Sequence, residues 1–210
     1  MKLVKTPPFL RFLFKSIYFK VKTESKNIYL TFDDGPSKEF TSWILRSLDS
    51  MDIKATFFCT GINARKNPIA IKKIIAKGHH IGNHGHIHKN SFFMSKNNFL
   101  KNIEKAEDYL PQTKLYRPPY GKIAPWQIKW IKNRYDIFLW DILSYDFSRK
   151  ISTKELEKNI LENAENGSII VFHDNKQSEK ILKKSLITIL QKLKNEGFKF
   201  KLLSSNAKEI

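Results

Sequence analysis

Ser168-Ile169-Ile170-Val171-Phe172-His173-Asp174 is the stretch whose reading decides the fold. Four consecutive apolar side chains leave no polar face, so a strand here is covered on both sides. Strands of that kind belong to parallel sheets flanked by helices. Downstream, Leu182, Leu186, Ile189, Leu190 and Leu193 recur at helical spacing, and Phe198 to Leu202 reads as a closing strand. Upstream, the same alternation of strand and helix extends back to Ile28. Ile28–Phe32, Ala55–Cys59, a very short His79–Gly82, Lys114–Arg117 and Asp136–Trp140 read as strands. Helices are expected over Phe40–Met51, Pro68–Lys77, Asn98–Leu110, Ala124–Asn133 and Thr153–Asn163. The pattern predicts an α/β protein with seven or eight strands in a single domain. No glycine-rich nucleotide loop follows the first strand, so a distorted (β/α) barrel is favoured over an open sheet.

At 210 residues with 41% hydrophobic content, the chain suffices for one full core. The division expected is a basic N-terminal arm, residues 1–26, before a domain at 27–210. The net charge is +18, yet 32 of the 38 basic residues are Lys and only 6 are Arg. Nucleic-acid readers favour the bidentate Arg fork, so no nucleic-acid partner is expected. One cysteine, Cys59, excludes an internal disulfide and any cysteine-cluster metal site; beside two phenylalanines it reads as core. Charges interrupt every apolar run of the arm, which has neither a signal-peptide core nor a small-residue cleavage site. A cytoplasmic or inner-membrane-surface location is therefore the expectation. The arm is expected to pack on the domain, with peripheral membrane contact as a second use.

The informative polar residues fall where strands end. Asp33 and Asp34 follow the first strand; His84, His86 and His88 follow Ile81-Gly82. Arg117-Pro118-Pro119-Tyr120-Gly121, Asp141 with Asp146, and His173-Asp174 leave three later strands. In a parallel barrel all C-terminal strand ends share one face, which carries the active site. Adjacent carboxylates repel, and a cation relieves that cost. His84 and His88 are four apart, so on a helical turn both rings face one metal. Asp34, His84 and His88 thus make a three-ligand site with an open position, leaving Asp33 free as a base. His86 reads as solvent-facing or as a neighbour of the ligands, His79 and His80 as structural. His173, at the mouth of the core, reads as a tuned proton donor.

Taken together, these blocks resemble the polysaccharide deacetylases, carbohydrate esterase family 4 with its NodB homology domain. The matching segments are Thr31–Pro36, Ala55–Phe58 with Gly61, Gly82–His88, Arg117–Gly121, Trp140–Phe147 and Val171–Asp174. The likeness spans about residues 27–203. It implies a divalent metal ion, zinc above all with cobalt as an alternative, and an acetylated glycan as substrate. By position it implies Asp33 as base, Asp34, His84 and His88 as metal ligands, and Arg117 as the ion-pair partner of Asp33. Tyr120 would offer a backbone N–H to the oxyanion, His173 would protonate the leaving amine, and Asp146 would tune that histidine. Tyr120, Phe147 and Pro119 are the expected substrate contacts. The family pattern usually has Asp where this chain has Leu143, and Trp where it has Phe147. Asp141, two residues before Leu143, is the candidate for compensation. Competing expectations are a non-catalytic glycan-binding protein of the same fold and a deacetylase of non-sugar or O-acetyl substrates.

Overall fold

The computed structural model describes residues 3–205, so Met1 and Lys2 of the arm and residues 206–210 of the expected domain lie outside it. The strands are β1 (Ile17–Tyr18), β2 (Asn27–Asp33), β3 (Thr56–Cys59), β4 (His80–Asn83), β5 (Leu115–Tyr116), β6 (Asp136–Phe138), β7 (Ile142–Leu143), β8 (Ile169–His173) and β9 (Lys199–Lys201). The helices are α1 (Pro8–Leu13), α2 (Phe40–Asp49), α3 (Gly61–Lys66), α4 (Pro68–Ala76), α5 (Lys96–Glu107), α6 (Pro125–Ile131), α7 (Thr153–Leu161) and α8 (Lys176–Asn195). The sheet order is β1-β6-β5-β4-β3-β2-β8-β7, with β9 also on β2; the pairings between these strands are parallel, and isolated bridges at Lys5–Ile142 and Lys20–Ser168 are antiparallel. This is the distorted barrel expected, with β1 and β7 as additional two-residue strands. Neither is long enough to show a period of two in the sequence.

The barrel is completed by residues outside the recognisable blocks. Residues 4–6 bond to β7 through Leu143 N–H to Val4 O (2.9 Å) and Thr6 N–H to Asp141 O (2.8 Å). β1 extends β6, and Val21 N–H then reaches Gly167 O (3.0 Å), just before β8. The N-terminal segment thereby spans the gap between the two sheet edges, burying Ile17, Phe19 and Val21.

Alternation along the strands sorts side chains between two compartments. Ile28, Leu30 and Phe32 of β2, Phe57 of β3 and Ile170 and Phe172 of β8 face outward to the layer of α2, α4, α7 and α8. Phe32 stacks on Phe57 (5.2 Å) and Phe172 (5.7 Å) there. The opposite parity, Tyr29, Phe58, Leu115, Phe138 and Ile169, fills the barrel interior. Continued by two residues, that parity carries Thr31 and Arg117 inward, and by four, Asp33 and His173 at the mouth. Gly82 has a packing reason, since a Cβ there would lie 2.5 Å from the Phe58 ring. Among the described residues no helix is long and apolar enough to cross a membrane.

Candidate active site

Asp33 and His173 are register partners on adjacent parallel strands, so both reach the barrel mouth together. The guanidinium of Arg117 is fully buried below them, its Cζ 4.1 Å from the Phe58 ring centre. Nη1 donates to Asp33 Oδ1 (2.6 Å) and Thr31 Oγ1 (2.8 Å), while Nε and Nη2 donate to Phe138 O (3.1 Å) and Leu139 O (2.8 Å). With four acceptors in place the fork cannot rotate, and Asp33 is held in one orientation.

The next residue points elsewhere. Asp34 has φ 76, a left-handed turn that carries its carboxylate away from Asp33. Its Oδ1 lies 3.6 Å from His84 Nε2 and 3.2 Å from His88 Nε2. One ligand atom from each of the three lies within 4.8 Å of the others. Asn175 Nδ2 donates to Asp34 Oδ2 (2.7 Å), and Asn63 Nδ2 to its carbonyl (2.7 Å). Burial alone would raise Asp34, but His173, His84, His88 and the Asn175 bond together hold it below the ordinary carboxylate range.

The donor set fits a divalent cation. His84 Nδ1 lies 2.7 Å from the Arg117 carbonyl, an oxygen that can only accept, so Nδ1 carries the proton. Burial also pulls His84 below the ordinary imidazole range, ahead of the opposing pull of Asp33 and Asp34. A neutral ring therefore presents the Nε2 lone pair to Asp34 Oδ1, itself buried with no hydrogen-bond partner among the described residues. Two electron-rich atoms face each other across a gap suited to a cation, with the second-layer carbonyl that metal-bound histidines use.

The clasp is not helical. His84 to His88 form a loop after β4, whose turn depends on Gly85 at φ 75. Gly61 N–H to Gly85 O (2.9 Å) and His86 N–H to Asn102 O (2.7 Å) fix its path, and the two rings end 5.1 Å apart. The two histidines four apart do meet, through a loop rather than the helical turn expected. His86 is buried rather than solvent-facing, 5.7 Å from the Tyr109 ring. His79 accepts from Ala55 N–H (3.1 Å) and His80 lies 2.7 Å from Leu203 O, the structural places expected. Cys59 is buried core.

His173 is gripped twice by Asp146, through its backbone N–H (2.7 Å) and through Nδ1 (2.7 Å). Nε2 is the ring nitrogen left for a substrate. Burial alone would lower the imidazole; contact with Asp146 and the charges of Asp34 and Asp33 outweigh it and push it up to about 9.

A cavity of about 580 Å³ joins these groups; Asp33, Asp34, His84, His88 and His173 all line it. Tyr120, Trp140, Leu143 and Phe147 supply its apolar wall, with Phe147 edge-on to His173 at 5.0 Å. Tyr120 is exposed at φ 60, its ring 4.3 Å from that of His88. Pro119 is buried and does not line the cavity, while Arg117 and Asp146 stand behind its wall. Asp141 offers no compensation for Leu143: it is buried away from the cavity, paired with Arg11 and accepting from Ser168 Oγ (2.6 Å). Asp174 likewise turns inward to Thr41 and Ser37. Asn175, Trp140, Lys176 and Gln177 were not singled out by sequence, although Asn175 directly follows the His173-Asp174 block.

A family model described as polysaccharide deacetylase matches residues 20–134. A Bacillus cereus protein named peptidoglycan-N-acetylglucosamine deacetylase is 36% identical over 85% of this chain and 67% of its own length. The chain belongs to the polysaccharide deacetylase family. This polysaccharide deacetylase family member is also 35% identical, over 86% of its length, to the Listeria monocytogenes peptidoglycan-N-acetylglucosamine deacetylase PgdA, of which it spans only 38%. A crystal structure of a peptidoglycan N-acetylglucosamine deacetylase in complex with 4-naphthalen-1-yl-N-oxidanyl-benzamide superposes with a TM-score of 0.88. It is 32% identical and covers 98% of this chain and 100% of the other.

Proposed function

We propose that this chain is a metal-dependent hydrolase that removes N-acetyl groups from N-acetylglucosamine units of envelope glycans. The observation that carries the reading is the meeting of three devices in one cavity: Asp33 clamped by Arg117, the Asp34–His84–His88 cluster, and His173 gripped by Asp146. The names of three relatives, each a peptidoglycan N-acetylglucosamine deacetylase, support the choice of sugar and of a C–N bond.

Amide hydrolysis needs an activated water, a stabilised oxyanion and a protonated leaving nitrogen. Asp34, His84 and His88 would hold a divalent ion, zinc or cobalt, which when bound supplies Lewis acidity toward water and the acetyl carbonyl. Asp33 takes the proton of the attacking water, whose oxygen bonds to the carbonyl carbon. Arg117 keeps that carboxylate aimed at the cavity. The backbone N–H of Tyr120 donates to the oxyanion, an interaction typically worth about 3–4 kcal/mol. His173 delivers its Nε2 proton to the nitrogen as the C–N bond breaks, because an unprotonated amine is a poor leaving group. Acetate and a glucosamine amine result, and Phe147 with Tyr120 packs the sugar ring.

The test is acetate release from N-acetylated chito-oligosaccharides and peptidoglycan fragments, before and after chelation and with zinc or cobalt restored. Activity abolished by chelation and regained with metal is the expected result. Asp33→Asn is expected to bind metal as the parent does and to lose turnover. Metal-independent release, or release only from O-acetyl esters, would overturn the reading.

A further inference from the structure

We propose that the segment around α1 is a docking surface for an anionic lipid membrane. The helix has no buried residue, and Phe9, Phe12 and Leu13 are 61%, 75% and 65% exposed, with Leu3 nearby at 55%. Scattered apolar residues on a surface are ordinary, but four within eleven residues make an exposed patch that marks an interaction. The patch is mounted rigidly. Arg11 pairs with buried Asp141, Lys5 Nζ bonds Asn163 O (3.0 Å), and Thr6 Oγ1 donates to Trp140 O (2.6 Å). The outward phenylalanines therefore cannot fold back into the core.

Charge selects the occupant. The first acidic residue of the chain is Glu24, and six basic residues precede it; Lys5 and Lys20 pair with Glu165 and Arg11 with Asp141, so among the described residues the charge turned to solvent here is that of Lys15 and Lys22. Lys15 and Lys22 are exposed, and Lys15 Nζ sits 5.3 Å over the Phe12 ring, so cation and apolar group share one face. Shallow insertion of aromatic side chains with basic residues at headgroup level is the pair of signals that holds a protein on an anionic bilayer. A second copy fits poorly, because two chains of +18 repel. Four side chains also offer on the order of 400 Å², well below what a stable dimer buries. The consequence is confinement of the chain to the membrane surface.

Co-sedimentation of the full chain with phosphatidylcholine vesicles, with and without phosphatidylglycerol, tests this. Binding is expected only with the anionic lipid, weakened by roughly tenfold or more in Phe9→Ser/Phe12→Ser/Leu13→Ser. That variant keeps the parent's charge, and its thermal midpoint should stay within a few degrees because no core contact is lost. Phe12→Glu alone repeats the test with less disturbance. Equal vesicle binding by parent and triple variant would overturn the proposal, as would no binding by the parent. A parent dimer in analytical ultracentrifugation that these substitutions dissociate would overturn it too.

Discussion

Asp33 and Asp34 are neighbours in the chain with opposite employment, and one backbone angle separates them. Inward parity on β2 hands Asp33 to Arg117; the left-handed turn at Asp34 hands the next carboxylate to the histidines. His173 shows the same economy, with Asp146 Oδ2 accepting from its backbone N–H and Oδ1 holding its ring at Nδ1. Its imidazole, raised from 6.5 to about 9, contributes stability that is fully present below 6.5 and is lost as pH rises through about 9. In the proposed reaction the same proton goes to the leaving amine, so kcat should fall on the alkaline side as it leaves. In Asp146→Asn the raising influence disappears while burial continues to lower the imidazole. That alkaline limb is expected to move acid by more than about one pH unit. A pH profile of kcat with an unmoved limb would remove His173 from the role of acid.

The loop between β4 and α5 brings together the two histidines expected to meet, by a shape other than the helical turn expected. His84 and His88 were legible as a pair because four-residue spacing is a metal signature on helices. The actual geometry depends on Gly85 at φ 75 and on Asn102, whose Oδ1 accepts from Ile87 N–H (2.9 Å). Neither residue carries a spacing signal, since the contact spans from the loop to a later helix. A Cβ at Gly85 would lie 2.6 Å from Asn102 Nδ2. Gly85→Ala is accordingly expected to cost about 1–3 kcal/mol of stability. It should also weaken metal binding by roughly 10–100-fold, because the support of the His88 loop shifts. Isothermal titration with Zn²⁺ measures this, and unchanged affinity would show that Asn102 does not set the loop.

The whole molecule depends on a segment that the sequence reading set apart as an arm. Residues 4–21 connect the β7 edge to the β6 edge and bury Ile17, Phe19 and Val21. Each such side chain is worth about 1.5–3 kcal/mol, against a total stability of about 5–15 kcal/mol. Removing Arg11 with the segment would also leave Asp141 buried and unpaired. A chain lacking residues 1–21 is therefore expected to show no cooperative thermal unfolding, or a midpoint lower by tens of degrees. A midpoint within a few degrees of the parent by circular dichroism would make the segment an accessory.

The sequence by itself determined the parallel α/β plan, because an uninterrupted apolar strand has to be covered on both faces. It also determined which strand ends bring titratable side chains to one cavity, because charged residues at the end of a buried strand are too costly to be accidental. Tertiary structure decided what local pattern does not encode. It clamped Arg117 in a cage of two backbone carbonyls, Thr31 and Asp33, turned Asp141 and Asp174 inward, brought Asn175 onto Asp34, and drew the N-terminal segment in to close the barrel. Each of these is a contact between residues far apart in the chain. Such contacts depend on packing and hydrogen-bond satisfaction in three dimensions rather than on any period along one strand or helix.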